Sequence, residues 1–166
     1  LVIEELARHG EDAEDRNIPA LLWHGLAPRM PDHLDRALAV AATTPIPALA
    51  DWIHWYAATL EGEALNRAVT ALQGLDDPTL HRRLAGLWLA MERRANVPMP
   101  LAWPQQASHL YAHPHPQIRR WAERLAAAFG DATLFPNLRS VLANTGADTA
   151  ARQHAFAVLS RAQDRE

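Results

Sequence analysis

The sequence predicts an all-α protein in which helix pairs stack on one another. Apolar residues recur at steps of three, four and seven over most of the chain, and no stretch alternates as a strand would. Three helical segments share one apolar register without gaps, which is typical of a helical repeat. The chain of 166 residues, 49% hydrophobic and 21% charged, has the composition of one folded domain.

Each of the three repeated segments opens with a helix-start signal: Asp77-Pro78, His115-Pro116 and Asp148-Thr149. Asp77 and Asp148 can accept hydrogen bonds from free amides at a helix N-terminus. Pro78 and Pro116 suit the first helical position, where no amide hydrogen is needed.

The apolar positions after these signals superimpose over three turns. The matched sets are Leu80, Leu84, Leu87 and Met91; Ile118, Ala122, Leu125 and Phe129; and Ala151, Ala155, Val158 and Ala162. Their first members are 38 and then 33 residues apart, near the HEAT, armadillo and tetratricopeptide repeat lengths. The predicted fold is a HEAT-like α-α superhelix, of armadillo type, over residues 1–166.

A basic residue follows the first apolar position of each set, namely His81, Arg119 or Arg152. In HEAT-type repeats a basic residue here commonly ties neighbouring repeats together. We therefore predict a structural role for Arg119 and Arg152, with a solvated side chain as the alternative.

The remaining helices follow from the same spacing. They are predicted around Leu34 to Ala41, Leu49 to Leu60, Leu65 to Leu72 and Leu134 to Leu142. The stretch from Ala95 to Pro104 contains three prolines and is predicted to be an ordered loop, with a hinge as the alternative. Its Val97, Met99 and Trp103 are expected to pack along a helix pair.

Composition excludes several kinds of chemistry. The chain has no cysteine, so disulfides, a thiolate nucleophile, Cys-ligated zinc and covalently attached haem c are excluded within it. Its 16 basic residues are all arginine against 19 acidic residues, and the formal charge of −3 disfavours nucleic acid as a partner. No apolar run is long enough to span a membrane. The first residue is Leu1, which suggests a processed chain or a segment of a larger multidomain protein.

Gly10–Asn17 forms an acidic turn with four carboxylates. Such a turn could bind calcium, but it lacks the EF-hand spacing, and Asn17 is expected to cap the next helix. We predict that Glu11, Asp12 and Asp15 contact a partner.

A histidine cluster comprises His109, His113 and His115. Imidazoles four apart on a helix share a face and could ligate zinc, copper or nickel. Pro114 and Pro116 are expected to separate His113 from His115, so the alternative makes His115 a cap and His109 a surface or packing residue.

The chain contains six tryptophans. Trp52, Trp88 and Trp121 lie on apolar stripes and are predicted to be core residues. Trp55 lies off its stripe unless its helix is buried on two sides, and it is predicted to contact a partner, with a core position as the alternative.

The sequence contains no phosphate-binding glycine loop, nucleophile elbow or His-Glu-x-x-His motif. We therefore expect a non-catalytic module with no metal or cofactor of its own. Two alternatives stay open. A HEAT-like DNA glycosylase would need a basic groove holding a carboxylate and tryptophans, and a free-standing metal-binding module would need the acidic turn or the histidines to converge.

Three passages resemble the helical-repeat region of a family of haem-binding proteins of planctomycete and verrucomicrobial type, described as membrane-bound dehydrogenases. The passages are His9–Pro19 followed by Trp23, Glu92–Arg94 followed by Val97–Pro100 and Trp103, and Ile118–Arg119 through Phe129–Asp131. This chain has Trp23-His24 where the family more often has Trp-Tyr.

The resemblance implies a place in a large envelope-directed protein, between a propeller of sugar-dehydrogenase type and a cytochrome c domain with a Cys-x-x-Cys-His motif. Haem c would then lie outside this segment. The implied role is a scaffold that docks or spaces protein domains in the periplasm or cell envelope.

Overall fold

The computed structural model describes residues 2–94 and 97–164, and all regular structure within these ranges is helical. The all-α prediction is confirmed. The helices are α1 (Val2–Leu6), α2 (Ile18–Leu26), α3 (Leu34–Thr43), α4 (Pro47–Thr59), α5 (Gly62–Thr70), α6 (Asp77–Met91), α7 (Trp103–Tyr111), α8 (Pro116–Phe129), α9 (Phe135–Ala143) and α10 (Thr149–Arg161). Short 3-10 turns lie at Gly10–Asp12, Ala27–Arg29 and Ala132–Leu134.

The even-numbered helices form a row in which each contacts the next, from α2 through α4, α6 and α8 to α10. The odd-numbered helices pack on this row: α3 and α5 contact α4, α7 contacts α5 and α8, and α9 contacts α10. One continuous apolar cluster extends from Ala7 to Leu159 and links all of these helices.

The predicted apolar register is observed in α6 and α8. Its members in these two helices are all buried, because each helix has a neighbour in the row on both sides. In α10 the two central members, Ala155 and Val158, are buried, whereas Ala151 and Ala162 at its ends are half-buried. The helix at the end of the row has fewer neighbours to cover it.

The helix starts differ from the prediction by one residue in α6. Asp76, rather than Asp77, caps this helix, and its Oδ1 accepts a hydrogen bond of 2.9 Å from the Thr79 amide. Asp148 caps α10 as predicted, accepting from the Ala151 amide at 3.0 Å. Pro116 is the first residue of α8, while Pro78 is the second residue of α6.

Arg119 and Arg152 have structural roles between helices that are consecutive in the chain, at the turn from α7 to α8 and near the end of α9. Arg119 Nη1 donates to the His113 carbonyl at 2.6 Å, in the turn between α7 and α8. Arg152 Nε donates to the Leu142 carbonyl at 3.2 Å, near the end of α9. His81 does connect neighbouring helices of the row, since its Nε2 accepts a 3.2 Å hydrogen bond from the Trp121 indole.

The predicted loop is shorter than expected because α7 begins at Trp103. Val97 and Trp103 are buried as predicted, but Met99 is exposed. Ala95 and Asn96 lie outside the described residues.

A buried carboxylate, Asp131, joins α7 to the end of α8. Its Oδ2 accepts hydrogen bonds from the Trp103 indole at 3.0 Å and from the Tyr111 hydroxyl at 2.6 Å. Its Oδ1 accepts from the Thr133 hydroxyl at 2.6 Å. Gly130, with φ of 69°, makes the left-handed turn that brings Asp131 back over the helix end. Burial would raise the pKa of Asp131, but these hydrogen bonds outweigh it and lower the pKa.

A second buried polar group lies between α4 and α6. Arg83 Nη1 is 2.7 Å from Asp51 Oδ1, and the Arg83 side chain is almost fully buried. His54 is also buried, and neither of its ring nitrogens makes a hydrogen bond of good geometry. Burial and the Arg83 charge lower the pKa of His54 to about 3, although the Ala68 backbone acts in the opposite direction. His54 is therefore neutral at pH 7.

Asp131→Asn should destabilise the fold. An amide retains one acceptor oxygen and places an NH₂ group against hydrogen-bond donors, so we expect a loss of about 3 kcal/mol in the free energy of unfolding. Urea denaturation monitored by tryptophan fluorescence measures this loss. Asp32→Asn, at an exposed carboxylate, is the control and should change stability by less than about 0.5 kcal/mol. Equal effects of the two variants would contradict the role of Asp131.

His54 should make stability depend on mildly acidic pH. The unfolded chain binds a proton at this histidine near its ordinary pKa of 6.5, whereas the folded chain resists protonation down to about 3. Neutral His54 therefore contributes stability fully above pH 6.5, and this contribution is lost as the pH falls toward 3. Unfolding free energies measured between these limits should fall by up to about 1.4 kcal/mol per pH unit on its account.

His54→Leu should remove the part of the pH dependence of the unfolding free energy that His54 causes. The part caused by carboxylates should remain. Gln73→Leu, at an exposed residue that does not titrate, should leave the dependence as in the parent chain. A parent chain and a His54→Leu variant with the same slope would show that His54 does not titrate in this way.

Candidate functional site

The tryptophans divide into one buried residue and five that lie at the edge of the core. Trp103 is fully buried, whereas Trp23, Trp52, Trp55, Trp88 and Trp121 are half-buried. The prediction that Trp52, Trp88 and Trp121 are core residues is therefore wrong in part. All five lie on even-numbered helices, where the closely packed neighbouring helices cover only one side of each indole.

An aromatic cluster joins α2 and α4. The ring centroids of Trp23 and Trp52 are 6.3 Å apart, and Tyr56 meets Trp23 edge-on at 5.6 Å. Trp55 packs beside Tyr56, with ring centroids 6.3 Å apart. Gly86 of α6 lies close to Trp55. A Cβ atom added at Gly86 would be 3.7 Å from the Trp55 Cβ, so this part of the Trp55 side chain packs against α6. The partner role of Trp55 stays a prediction.

The other two indoles, Trp88 on α6 and Trp121 on α8, lie against arginines of α8 and α10. The guanidinium carbon of Arg124 is 4.9 Å from the ring centroid of Trp121 and 5.7 Å from that of Trp88. Trp88 also contacts a second arginine, because the guanidinium carbon of Arg161 is 4.6 Å from its ring centroid. These distances are those of cation–π contacts. We define the aromatic–arginine face as Trp88, Arg120, Trp121, Arg124 and Arg161.

A groove of about 320 Å³ between α8 and α10 adjoins this face. Polar and aromatic side chains line it: Gln117, Arg120, Trp121 and Arg124 from α8, and Gln153 and His154 from α10. Small residues of α10, Ala150 and Ala157, leave room between the helices. Among the described residues, no carboxylate lines the groove.

The arginines of the face are of two kinds. Arg161 is used structurally, because its guanidinium donates to the carbonyls of Met91, Glu92 and Arg94 at the end of α6. Arg120 and Arg124 form no ion pair with any carboxylate in residues 2–94 and 97–164. Arg124 is therefore positioned by two indoles while its hydrogen-bonding edges are available to another molecule.

The acidic turn is engaged largely in local contacts. Asp15 Oδ1 accepts from the amides of Asn17 and Ile18 at 2.7 and 2.9 Å, so Asp15 caps α2 in place of the expected Asn17. Glu11 Oε1 lies 3.1 Å from His9 Nδ1 and is otherwise exposed, and Asp12 is half-buried. The prediction that Glu11, Asp12 and Asp15 contact a partner is untested, although Asp15 already has a structural role.

The three predicted histidines do not converge. His113 Nδ1 accepts a hydrogen bond of 3.2 Å from the His115 amide, and its Nε2 is 3.5 Å from Asp77 Oδ1. His115 precedes the first residue of α8, while His109 is exposed on α7. Within the described ranges, no three His, Asp or Glu side chains are grouped so that they could bind a metal ion.

Sequence inspection missed the aromatic–arginine face. Trp121 and Arg124 are three apart on α8 and so share a helix face, which was a detectable signal. Their proximity to Trp88 and Arg161 depends on the packing of three helices and was not detectable.

Comparisons of the chain with protein-family models, curated proteins and solved structures find no match. The resemblance to the haem-binding family therefore stays a prediction. Among the described residues, no helix has the length and apolar character needed to cross a membrane.

Two arginines of the face should respond differently to substitution. Arg161→Ala leaves backbone carbonyls without a partner and uncovers Trp88, so the free energy of unfolding should fall by about 1–3 kcal/mol. Arg124→Gln removes only the cation–π contacts and should cost less than about 1 kcal/mol. Urea denaturation followed by circular dichroism measures both variants. A larger loss for Arg124→Gln than for Arg161→Ala would show that Arg124 is the structural residue.

Proposed function

We propose that the chain is a HEAT-like superhelix that acts as a non-catalytic scaffold, docking or spacing domains of a larger periplasmic redox protein. Haem c would be bound by another part of that protein, since this chain has no cysteine to attach it. The module fixes the separation of what is joined to its two ends.

The serial packing of the even-numbered helices carries this proposal. Each of α4, α6 and α8 contacts the row member before it and the one after it, as in a repeat protein whose units contact only their neighbours. Such a stack shares one apolar cluster along its length, and polar contacts also join α4 to α6 and α6 to α8. It is therefore suited to present surfaces and to space domains.

Both ends of the row expose large apolar side chains. Leu21 of α2 is 66% exposed and Phe156 of α10 is 61% exposed. Since successive residues of an α-helix are about 100° apart, Phe156 lies on the opposite side of α10 from His154, which bonds to α8. Terminal units of a repeat protein need a polar outer face when nothing covers them. These side chains support docking of further domains at the ends.

The residues behind the family resemblance support a structural role. Trp103 and Asp131 are hydrogen bonded in the core. Arg94 donates to the Thr59 carbonyl and to Glu61 Oε1, both at 2.8 Å, and so connects the end of α6 to the turn after α4. A shared scaffold would require these contacts whatever the neighbouring domains do.

The first test is the coding sequence around this segment. An open reading frame that continues downstream into a Cys-x-x-Cys-His motif is the expected result. A frame that stops without one would remove the cytochrome context and leave only the scaffold role.

The second test measures docking at the ends. The domain encoded next to α10 is expressed separately and titrated into this chain by calorimetry. Phe156→Glu should weaken binding at least about tenfold, because it places a charge in an apolar contact.

Leu89→Glu is the matched control for this titration. Leu89 is 62% exposed, close to the 61% of Phe156, but it lies on α6 in the middle of the row. Its substitution should leave affinity unchanged. Equal weakening by both variants, or no binding by the parent chain, would contradict docking at this end.

A further inference from the structure

The positive charge of Arg120 and Arg124 at the aromatic–arginine face is not paired with a carboxylate among the described residues. Helices α8 and α10 together contain five arginines and one carboxylate, Glu123. Glu123 Oε2 is hydrogen bonded to His154 Nε2 at 2.5 Å, and both side chains are mostly buried. It forms no ion pair with Arg120 or Arg124 among the described residues. The exposed part of the groove is thus cationic.

This local charge belongs to a chain with an uneven charge distribution. The sequence from residue 78 onward contains 11 arginines and six carboxylates, whereas residues 1–77 contain five arginines and 13 carboxylates. The groove lies in the basic portion, on helices α8 and α10. A short anionic ligand would meet favourable charge there, but a long polyanion extending toward α2 and α4 would meet carboxylates.

The groove also has the chemistry of a peptide-binding site. Guanidinium groups bind carboxylates through paired hydrogen bonds, and the guanidinium of Arg124 lies within cation–π distance of the Trp88 and Trp121 indoles. Gln117 and Gln153 can donate to and accept from a peptide backbone. Tryptophan and arginine together are typical of residues that contribute most to protein interfaces.

We propose that the groove between α8 and α10 binds an acidic peptide segment of a partner protein. Carboxylates of the segment contact Arg120 and Arg124, and its apolar atoms cover the exposed edge of Trp121. The inference deepens the scaffold function by assigning a second docking surface, on the side of the row rather than at its ends.

The test uses a fluorescein-labelled peptide of alternating glutamate and glycine, titrated with the intact chain and followed by fluorescence anisotropy. We expect saturable binding that weakens as salt is raised, because the contacts are exposed ion pairs. A peptide with lysine in place of glutamate should not bind.

Arg124→Gln and Arg120→Gln should each weaken binding about tenfold, while circular dichroism remains as in the parent chain and the free energy of unfolding falls by less than about 1 kcal/mol. Arg16→Gln is the control, since Arg16 is exposed, has no ion pair within the described ranges and lies in the acidic turn. It should bind the peptide as the parent chain does.

Three results would overturn the proposal. One is no saturable binding of the glutamate peptide, and another is an equal loss in Arg16→Gln and Arg124→Gln. The third is tighter binding of oligothymidylate than of the peptide, abolished by Arg124→Gln, which would assign the groove to nucleic acid. If the peptide fails while the domain next to α10 still binds in a Phe156-dependent manner, only the groove proposal is lost and the scaffold function remains.

Discussion

The double contact of α6, with α4 on one side and α8 on the other, is the interaction on which the rest of the structure depends. Leu84, Leu87 and Met91 are fully buried within this one helix, so removing either neighbour would expose its core residues. Each side also has a polar link. Arg83 pairs with Asp51 on α4, and His81 accepts the indole hydrogen of Trp121 on α8. Apolar burial supplies most of the stabilisation, and the polar links restrict how α6 can slide or rotate against its neighbours.

Burying a polar group costs desolvation free energy, so the buried polar groups of this protein occur where partners compensate for it. Burial lowers the pKa of Arg83, and the Asp51 carboxylate opposes that effect, so the guanidinium is tolerated only because its partner is fixed on α4. Asp131 is tolerated for a different reason, since four hydrogen bonds satisfy both of its oxygens. Arg83 connects α6 to α4, and Asp131 connects the end of α8 to α7. The polar atoms in the core thus define the register of the helices, while leucine and alanine provide most of the buried area.

The sequence was sufficient to predict what depends on local periodicity and insufficient for what depends on contacts between distant segments. The registers of α6 and α8 followed from spacing because a helix buried on both sides must place apolar residues at three- and four-residue steps. The caps were misplaced where two acceptors stand close together, as with Asp76 and Asp77, because either can begin a helix. The exposure of Trp88 and Trp121 could not be predicted, since an indole on an apolar stripe is covered only as far as its neighbour extends. Asp131 was overlooked because its donors are up to 28 residues away in sequence.

The use of arginine separates the structural surface from the surface available for binding. Arg83, Arg94, Arg119, Arg152 and Arg161 all bind carbonyls or carboxylates of their own chain, so their charge is already committed to the fold. Arg124 is different, because it makes cation–π contacts with two indoles and, among the described residues, no hydrogen bond or ion pair. An indole orients a guanidinium without satisfying its N–H groups. This arrangement restrains the side chain without using its hydrogen-bond donors, and a rigid donor loses less entropy on binding than a mobile one. The surface most suited to a partner is therefore the one where arginine is held by aromatic rings rather than by oxygen.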